Sequence, residues 1–187
     1  MSLLIFSMSM SLDGFVADDS GDFAWAAPDG EELAFINELL RPVGTFLFGR
    51  RMYETMKVWE TMETAEGSPD RDFAQIWHSA EKVVFSTTLQ AVTTNKTRIA
   101  RSFDAREIEA LKRESVRDIE AAGPHLAAAA FKLGLVDECH IFLCPVLVGS
   151  GKRALPQDQF IPLELLDQRR FSTGITYLRY RVLNRRD

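Results

Sequence analysis

Short apolar segments without a polar face alternate with helical segments along most of this chain. Residues 43–48 and 82–85 are almost wholly apolar, as is typical of strands buried on both faces of a sheet. Residues 31–40 carry leucine and isoleucine at helical spacing, and residues 105–113 form a charged amphipathic helix. Strands that alternate with helices form a largely parallel sheet. The pattern therefore predicts an α/β fold.

The remaining segments extend this pattern to both ends of the chain. We expect further strands at 3–10, 116–121, 139–148 and 171–183, further helices at 52–56, 70–79 and 126–133, and a long loop at 18–30. The last two strands are predicted to form an antiparallel hairpin at the edge of the sheet. A length of 187 residues suits one domain, so we expect a single domain over residues 1–187.

Composition excludes several classes of protein. A net charge of -5 argues against broad binding of nucleic acid, which needs a basic surface. The longest apolar runs are too short for a membrane span, and the first residues lack a signal-type pattern. Cys139 and Cys144 are expected to lie on opposite faces of one strand as free thiols, which fits a reducing cytoplasm. The sequence contains no Cys-x-x-Cys pair, so it gives no indication of a metal site.

Two predicted strand-to-helix junctions carry residues suited to binding phosphate. One is 48–51, Phe-Gly-Arg-Arg, and the other is 121–125, Ala-Ala-Gly-Pro-His. Ligands of open α/β sheets bind at the carboxyl ends of the strands. Glycine permits close approach, arginine binds phosphate oxygens, and helix N-termini favour anions. Two such junctions suggest a dinucleotide, with Ser-Thr-Thr at 86–88 supplying hydroxyl groups nearby.

Structural explanations exist for the same residues. A Gly-Arg-Arg sequence also occurs as a turn with solvated charges, and Gly-Pro is a common helix entry. The chain has no G-x-G-x-x-G motif after a strand. Residues 149–152, Gly-Ser-Gly-Lys, resemble part of a P-loop but fit a hairpin loop better.

The order of the motifs supplies a stronger indication. The segments SMSLDGFVA, FLFGRRMYE, KVVFSTTL, AAGPHLA and GLVDECHIFLCPVLVGSGKRALP together resemble the dihydrofolate reductase-like superfamily. Within this superfamily they most resemble the branch that contains the reductase domain of bifunctional riboflavin biosynthesis proteins and its stand-alone bacterial relatives. The resemblance covers residues 3–182. It implies a three-layer α/β/α fold with a mainly parallel sheet of about eight strands and an antiparallel C-terminal edge.

The resemblance also implies that NADPH binds at the carboxyl edge of the sheet. The phosphates would contact the first junction and the adenosine 2′-phosphate would contact the turn after the second apolar strand. The pyrophosphate would cross the second junction, and the loop containing Asp13 and Ala17 would flank the nicotinamide. The implied cofactor-binding residues are Ala17, Gly49, Arg50, Arg51, Ser86, Thr87, Ala122, Gly123, Pro124, His125 and Leu126.

The chain departs from the family pattern at two positions. Met52 replaces a threonine, and Ala122 replaces the first of two glycines. Folate-reducing relatives join those glycines by a cis peptide bond. We therefore expect a cis bond between Ala122 and Gly123, with the Gly123 N–H directed at the pyrophosphate. The alternative is a trans turn.

Candidate catalytic and substrate-binding residues are fewer. Folate-reducing relatives carry a carboxylate at the start of the first long helix, which here falls on Glu32; alternatively, Glu32 only stabilises the helix dipole. Asp13 is either a catalytic polar group or a turn residue. Three aromatic residues, Phe15, Trp25 and Trp59, are candidates for a pocket that holds a flat heterocycle, although aromatic residues also pack cores.

These observations lead to one preferred function and two alternatives. The preferred function is an NADPH-dependent reductase that transfers a hydride to a small pteridine-type or pyrimidine-type metabolite, with NADPH preferred over NADH. The alternatives are a non-catalytic NADP-binding protein, such as a sensor, and a 5-amino-6-(5-phosphoribosylamino)uracil reductase. The relatives commonly dimerise, so we also expect a two-fold homodimer.

Overall fold

A mainly parallel eight-stranded sheet with helices on both faces organises the chain. The computed structural model describes residues 1–183. In space the strands are ordered β5-β4-β3-β6-β1-β7-β10-β9, and a separate two-stranded sheet pairs β2 with β8. The strands are Leu4–Ser11 (β1), Phe15–Ala17 (β2), Val43–Gly49 (β3), Glu81–Phe85 (β4), Thr97–Ala100 (β5), Asp118–Ala122 (β6), Glu138–Cys144 (β7), Lys152–Arg153 (β8), Leu163–Arg170 (β9) and Thr176–Val182 (β10).

Only β10 runs against the other strands of the large sheet, so the two antiparallel pairings lie at its C-terminal edge. Strand β10 runs antiparallel to both β7 and β9, whereas β1, β3, β4, β5, β6 and β7 are parallel. The predicted α/β fold, with an antiparallel C-terminal edge, is confirmed. All the parallel strands end at the same edge, which therefore gathers the loops that follow them.

Five helices pack on the sheet: Gly30–Leu40 (α1), Arg50–Met56 (α2), Pro69–Ser79 (α3), Ala105–Glu114 (α4) and Pro124–Lys132 (α5). Leucine and aromatic residues of α1 and α3 pack on one face, and apolar residues of α4 and α5 pack on the other. Three helices begin at a side chain that accepts a hydrogen bond from a backbone N–H of the first turn: Asp29 for α1, Ser68 for α3 and Asp104 for α4. Such caps fix where a helix starts.

The cysteines follow the expected alternation along β7. Both thiols are free and buried. Cys139 packs with the core beneath α4 and α5, and Cys144 packs with an aromatic cluster that includes Phe142, on the other face of the sheet. The prediction that they point to opposite faces is confirmed.

The C-terminal part differs from the predicted hairpin of two long strands. β7 ends at Cys144, and residues 152–153 form the short strand β8. The hairpin partner of β10 is β9, and β10 lies between β9 and β7. The sequence Leu163–Arg170 alternates poorly because almost every side chain of β9 is exposed. An edge strand exposed on both faces has no apolar pattern to reveal it.

A buried carboxyl group lies near the centre of the sheet. Ile119 and Ala121 of β6 join the core beneath α4 and α5, so the intervening Glu120 points to the opposite face. Its neighbours in register are Phe46 on β3 and Ile5 on β1. Among residues 1–183 its carboxyl has no hydrogen bond or ion pair. Burial raises the pKa of Glu120 to about 8.

Candidate functional site

A groove of about 250 Å³ lies at the carboxyl ends of β3 and β6. The two junctions that the sequence singled out form most of its walls, because β3 and β6 are neighbouring parallel strands. The lining residues are Gly49, Arg50, Arg51, Met52, Ala122, Gly123, Pro124, His125, Leu126 and Lys152. The structure therefore brings together eight of the eleven predicted cofactor-binding residues.

The glycine at the end of β3 leaves space that the protein does not use. Gly49 has φ -74 and ψ 161, torsions that any residue adopts. A Cβ added to Gly49 would meet no atom within 4 Å. Neither backbone conformation nor packing therefore requires glycine at this position, whereas close approach of a ligand would.

The glycine at the end of β6 is required by conformation. Gly123 has φ 98 and ψ 133, a region that residues with a Cβ rarely adopt. It is the N-cap residue before α5, has no side chain to cap the helix, and is followed by Pro124 in the first turn. The first N–H groups of α5 consequently remain without a side-chain cap beside the groove, where they favour an anion.

The peptide bond between Ala122 and Gly123 is trans, as are all the described peptide bonds. The predicted cis bond is therefore wrong. The torsions of Gly123 alone turn the chain from β6 into α5, and the Cβ of Met52 packs 3.4 Å from where a Gly123 Cβ would lie.

The two arginines after β3 have different surroundings. Arg50 donates to Oε1 of Glu54 (Nε···O 2.8 Å) and to Oγ1 of Thr88 (Nη1···O 3.1 Å), so it joins the turn after β4. The Arg51 guanidinium makes no hydrogen bond or salt bridge with residues 1–183. Its positive charge helps to lower the pKa of Lys152, after the larger effect of burial. Arg51 and Lys152 thus bring to the groove two cations that are not paired with a carboxylate of residues 1–183.

The turn after β4 lies beside the groove and not in its lining. Ser86 Oγ accepts the backbone N–H groups of Thr88 and Leu89 at 3.3 and 3.0 Å, and Thr87 is exposed. Phe85 pairs with Gly49 in the sheet, which keeps this turn next to Arg50. Binding of a 2′-phosphate by Ser86 and Thr87 stays a prediction.

Asp13 joins two loops above β1. Its carboxylate accepts from Ser11 Oγ at 2.6 Å, from the N–H of Gly149 at 2.7 Å and from the N–H of Val148 at 3.1 Å. The pKa of Asp13 is lowered to about 2, mainly by the hydrogen bond from Ser11 and further by those from Gly149 and Val148. Such a carboxyl has no proton to donate at neutral pH. The geometry favours the turn-residue alternative for Asp13.

Glu32 is only 1% exposed and bonded within the protein. Its Oε2 accepts the N–H of Asp29 at 3.0 Å, the Asp29 side chain accepts the N–H of Glu32 in return, and Oε1 contacts Oγ1 of Thr173. This reciprocal capping box stabilises the start of α1. The arrangement favours the structural alternative, and a catalytic role for Glu32 stays a prediction.

The three candidate pocket aromatics lie in three different places. Phe15 is buried beneath Arg153, whose guanidinium carbon lies 4.3 Å from the centroid of the Phe15 ring. Trp25 packs with the cluster that contains Phe142, and Trp59 packs on Phe73 of α3 at 4.5 Å between centroids. Sequence spacing alone could not show which neighbours these three side chains pack against. Each of them packs against other residues of the protein, in agreement with the alternative that these aromatic residues pack the core.

Ala17 and Lys152 meet in the small sheet formed by β2 and β8. Ala17, a predicted cofactor-binding residue, is buried there. Lys152 lines the groove but was missed as a site residue, because Gly149-Ser150-Gly151-Lys152 was interpreted as a hairpin loop. A cationic side chain that follows two glycines was the feature of the sequence that could have indicated an anion-binding role for Lys152.

Two absences concern the described residues. In residues 1–183 no group of three or more His, Cys, Asp or Glu side chains is arranged to hold a metal ion. Within the same range no helix has the length and apolar character needed to cross a membrane.

Comparisons with known proteins agree with this geometry. Residues 2–177 match the family model described as the RibD C-terminal domain. The protein YyaP of Bacillus subtilis (strain 168), whose function is uncharacterised, is 29% identical over 182 residues, which cover 95% of this chain and 93% of YyaP.

Solved structures show the same fold at lower identity. A candidate riboflavin biosynthesis protein from Shewanella sp. PV-4 superposes with a TM-score of 0.77 at 18% identity, covering 97% of this chain and 99% of that one. A diaminohydroxyphosphoribosylaminopyrimidine deaminase/5-amino-6-(5-phosphoribosylamino)uracil reductase from Thermotoga maritima superposes with a TM-score of 0.67 at 16% identity. That match covers 97% of this chain and 56% of the other.

Proposed function

Because the chain belongs to the RibD C-terminal domain family, within the dihydrofolate reductase-like superfamily, we propose that it is a reductase that uses NADPH. The observation that carries the proposal is the groove, which Arg51 and Lys152 both line and in which the charge of Arg51 contributes to lowering the pKa of Lys152. The pyrophosphate of a dinucleotide carries the negative charges with which these two cationic side chains can pair. When bound, NADPH would supply the hydride.

The residues of the groove fit the phosphate part of such a cofactor. The open space at Gly49 admits a phosphate group close to the backbone. The first turn of α5 offers N–H groups, and the guanidinium of Arg51 offers paired donors for phosphate oxygens. The protein's contribution is to bind and orient the cofactor at the sheet edge, beside the loops that follow β1.

We further infer a pyrimidine-type or pteridine-type substrate. The Thermotoga maritima protein is named for the reduction of a ribosylamino-uracil phosphate, and that name supports a flat nitrogen heterocycle as the substrate class here. The loops that Asp13 joins lie over the end of β1, next to the groove. A substrate held there would lie beside the cofactor.

Titration with both nicotinamide cofactors tests the proposal. We expect NADPH to bind more tightly than NADH, because the 2′-phosphate adds charge that Arg50 and the turn after β4 can meet. Arg51→Ala should weaken NADPH binding by about 1.5 to 3 kcal/mol, the typical contribution of a charged hydrogen bond. The measurement is fluorescence or calorimetric titration of the wild type and the variant.

The control is Arg98→Ala, since Arg98 is exposed on the distant edge strand β5. Equal affinity of the wild type for NADPH and NADH would count against the cofactor assignment. Wild-type protein that binds NADPH but oxidises it with none of a panel of pyrimidines and pteridines would support the non-catalytic alternative.

We also propose that the protein forms a two-fold homodimer through β9. This strand is an edge, and its Leu165 side chain is 49% exposed. Exposed apolar edge strands tend to pair with another chain. Leu165→Lys should convert the dimer to a monomer in light scattering, whereas Leu133→Lys, at a leucine 46% exposed after α5, should not. A monomeric wild type at micromolar concentration would refute the proposal.

A further inference from the structure

Lys152 enters the groove from a different part of the chain than the other lining residues. Ten residues line the groove, and nine of them end or follow β3 or β6. Lys152 instead begins β8 and pairs with Ala17 of β2. Its ammonium group has no hydrogen bond or salt bridge with residues 1–183.

The protein groups around Lys152 disfavour the protonated form of its amino group. Burial lowers the pKa of Lys152, and the positive charge of Arg51 lowers it further. An anion in the groove would favour the charged form of Lys152 and offset the repulsion by Arg51, since it would pair with both side chains. The groove is therefore arranged for a ligand with more than one negative charge.

The backbone of Lys152 is fixed before any ligand binds. Gly151 lies so close to the chain at Ala17 that a Cβ would overlap the Ala17 carbonyl oxygen and lie 2.7 Å from the Cα of Asp18. On the other side of Lys152, the N–H of Ala154 donates to the carbonyl oxygen of Gly14 at 3.0 Å. Little backbone entropy is then lost when the side chain contacts an anion.

The position of Lys152 in the sheet order decides which phosphate it can reach. The turn that contains Ser86 follows β4, whereas Ala17, the partner of Lys152, follows β1. The strands β4, β3, β6 and β1 are consecutive neighbours, and Lys152 lines the groove at the ends of the two middle strands, β3 and β6. Ser86 and Thr87, after β4, do not line that groove.

We propose that Lys152 binds the pyrophosphate of the dinucleotide from the side opposite Arg51, and that it contributes equally to binding of NADPH and NADH. This inference rests on the proposed function. It differs from the role predicted for Ser86 and Thr87, which would act on NADPH alone. It also links the cofactor to the small sheet in which β2, after β1, pairs with β8, which carries Lys152.

The test compares Lys152→Met with the wild type. Methionine keeps an apolar side chain of similar length and removes the charge. We expect the variant to bind NADPH and NADH each about tenfold more weakly, with an unchanged ratio between them. Inorganic pyrophosphate should also compete less well in the variant. Lys152→Arg should retain most of the affinity.

Lys132→Met is the matched control, because Lys132 lies at the opposite end of α5 from the groove. Thermal unfolding of each variant checks that the fold is retained. Wild-type protein that binds neither cofactor would overturn the proposed function and this inference together. Wild-type binding with an unaffected Lys152→Met variant, or a loss confined to NADPH, would overturn the inference alone.

Discussion

Replacing Gly151 with alanine should destabilise the protein more than the same replacement at Gly149, two residues away. Gly151 has φ 136, and a Cβ there would overlap the backbone of Ala17 and Asp18. Backbone strain and overpacking together should lower the free energy of unfolding by about 2 to 5 kcal/mol. In a chain of this size the midpoint of thermal unfolding should fall by about 5 to 15 °C.

Gly149→Ala is a control that separates the effect of the close contact between Gly151 and residues 17–18 from the effect of a positive φ. Gly149 also has a positive φ, of 84°, but an added Cβ would meet no atom within 4 Å. That variant should lose only about 1 to 2 kcal/mol from backbone strain. Equal losses for the two variants would show that the contact between the two loops does not depend on Gly151. Because Gly151 precedes Lys152, its replacement should also weaken cofactor binding.

Glu120→Gln should make the protein more stable at pH 8 and change how its stability depends on pH. The Glu120 carboxyl ionises near 4.5 in the unfolded chain and at about 8 in the folded protein. Between these pH values the unfolded state releases a proton that the folded state keeps, so stability falls as pH rises. Each unit of pKa difference is worth about 1.4 kcal/mol, which gives a loss of about 3 to 5 kcal/mol by pH 8.

Glutamine has nearly the same shape and cannot ionise, so the variant should lack this loss. At pH 5 the two proteins should have similar stability, or the variant should be slightly less stable because its amide is buried without partners. Urea unfolding at pH 5 and pH 8 measures the difference. Glu109→Gln, at an exposed position of α4, is the control. Parallel stability curves for wild type and Glu120→Gln would contradict the prediction.

Elements with a buried face were predictable from sequence, and elements without one were not. The strands β3, β4 and β6 were each predicted within two residues because each contains a run of buried residues that is mainly apolar. The start of α1 was predicted within one residue, where acidic residues and a capping aspartate mark it. Strand β5 was missed, since its four side chains are at least partly exposed.

The candidate site divides in the same way. Its glycines and arginines could be predicted because the ends of parallel strands must meet at one edge of the sheet. Lys152 could not, because its place in the groove depends on packing between two loops that are distant in sequence. The aromatic residues and Glu32 were assigned by residue type, and tertiary contacts decide which neighbours such side chains meet.

The first strand of the chain lies between two strands that are synthesised much later. β1 pairs with β6 and β7, so its main-chain partners emerge from the ribosome more than a hundred residues later. At about 5 to 20 residues per second, the nascent chain carries an unpaired apolar strand for roughly 6 to 25 s. During that interval residues 4–11 offer a binding segment for chaperones and a site for association between nascent chains. Closure of the sheet therefore waits for β6 and β7, and folding depends on contacts of high sequence separation, which form slowly.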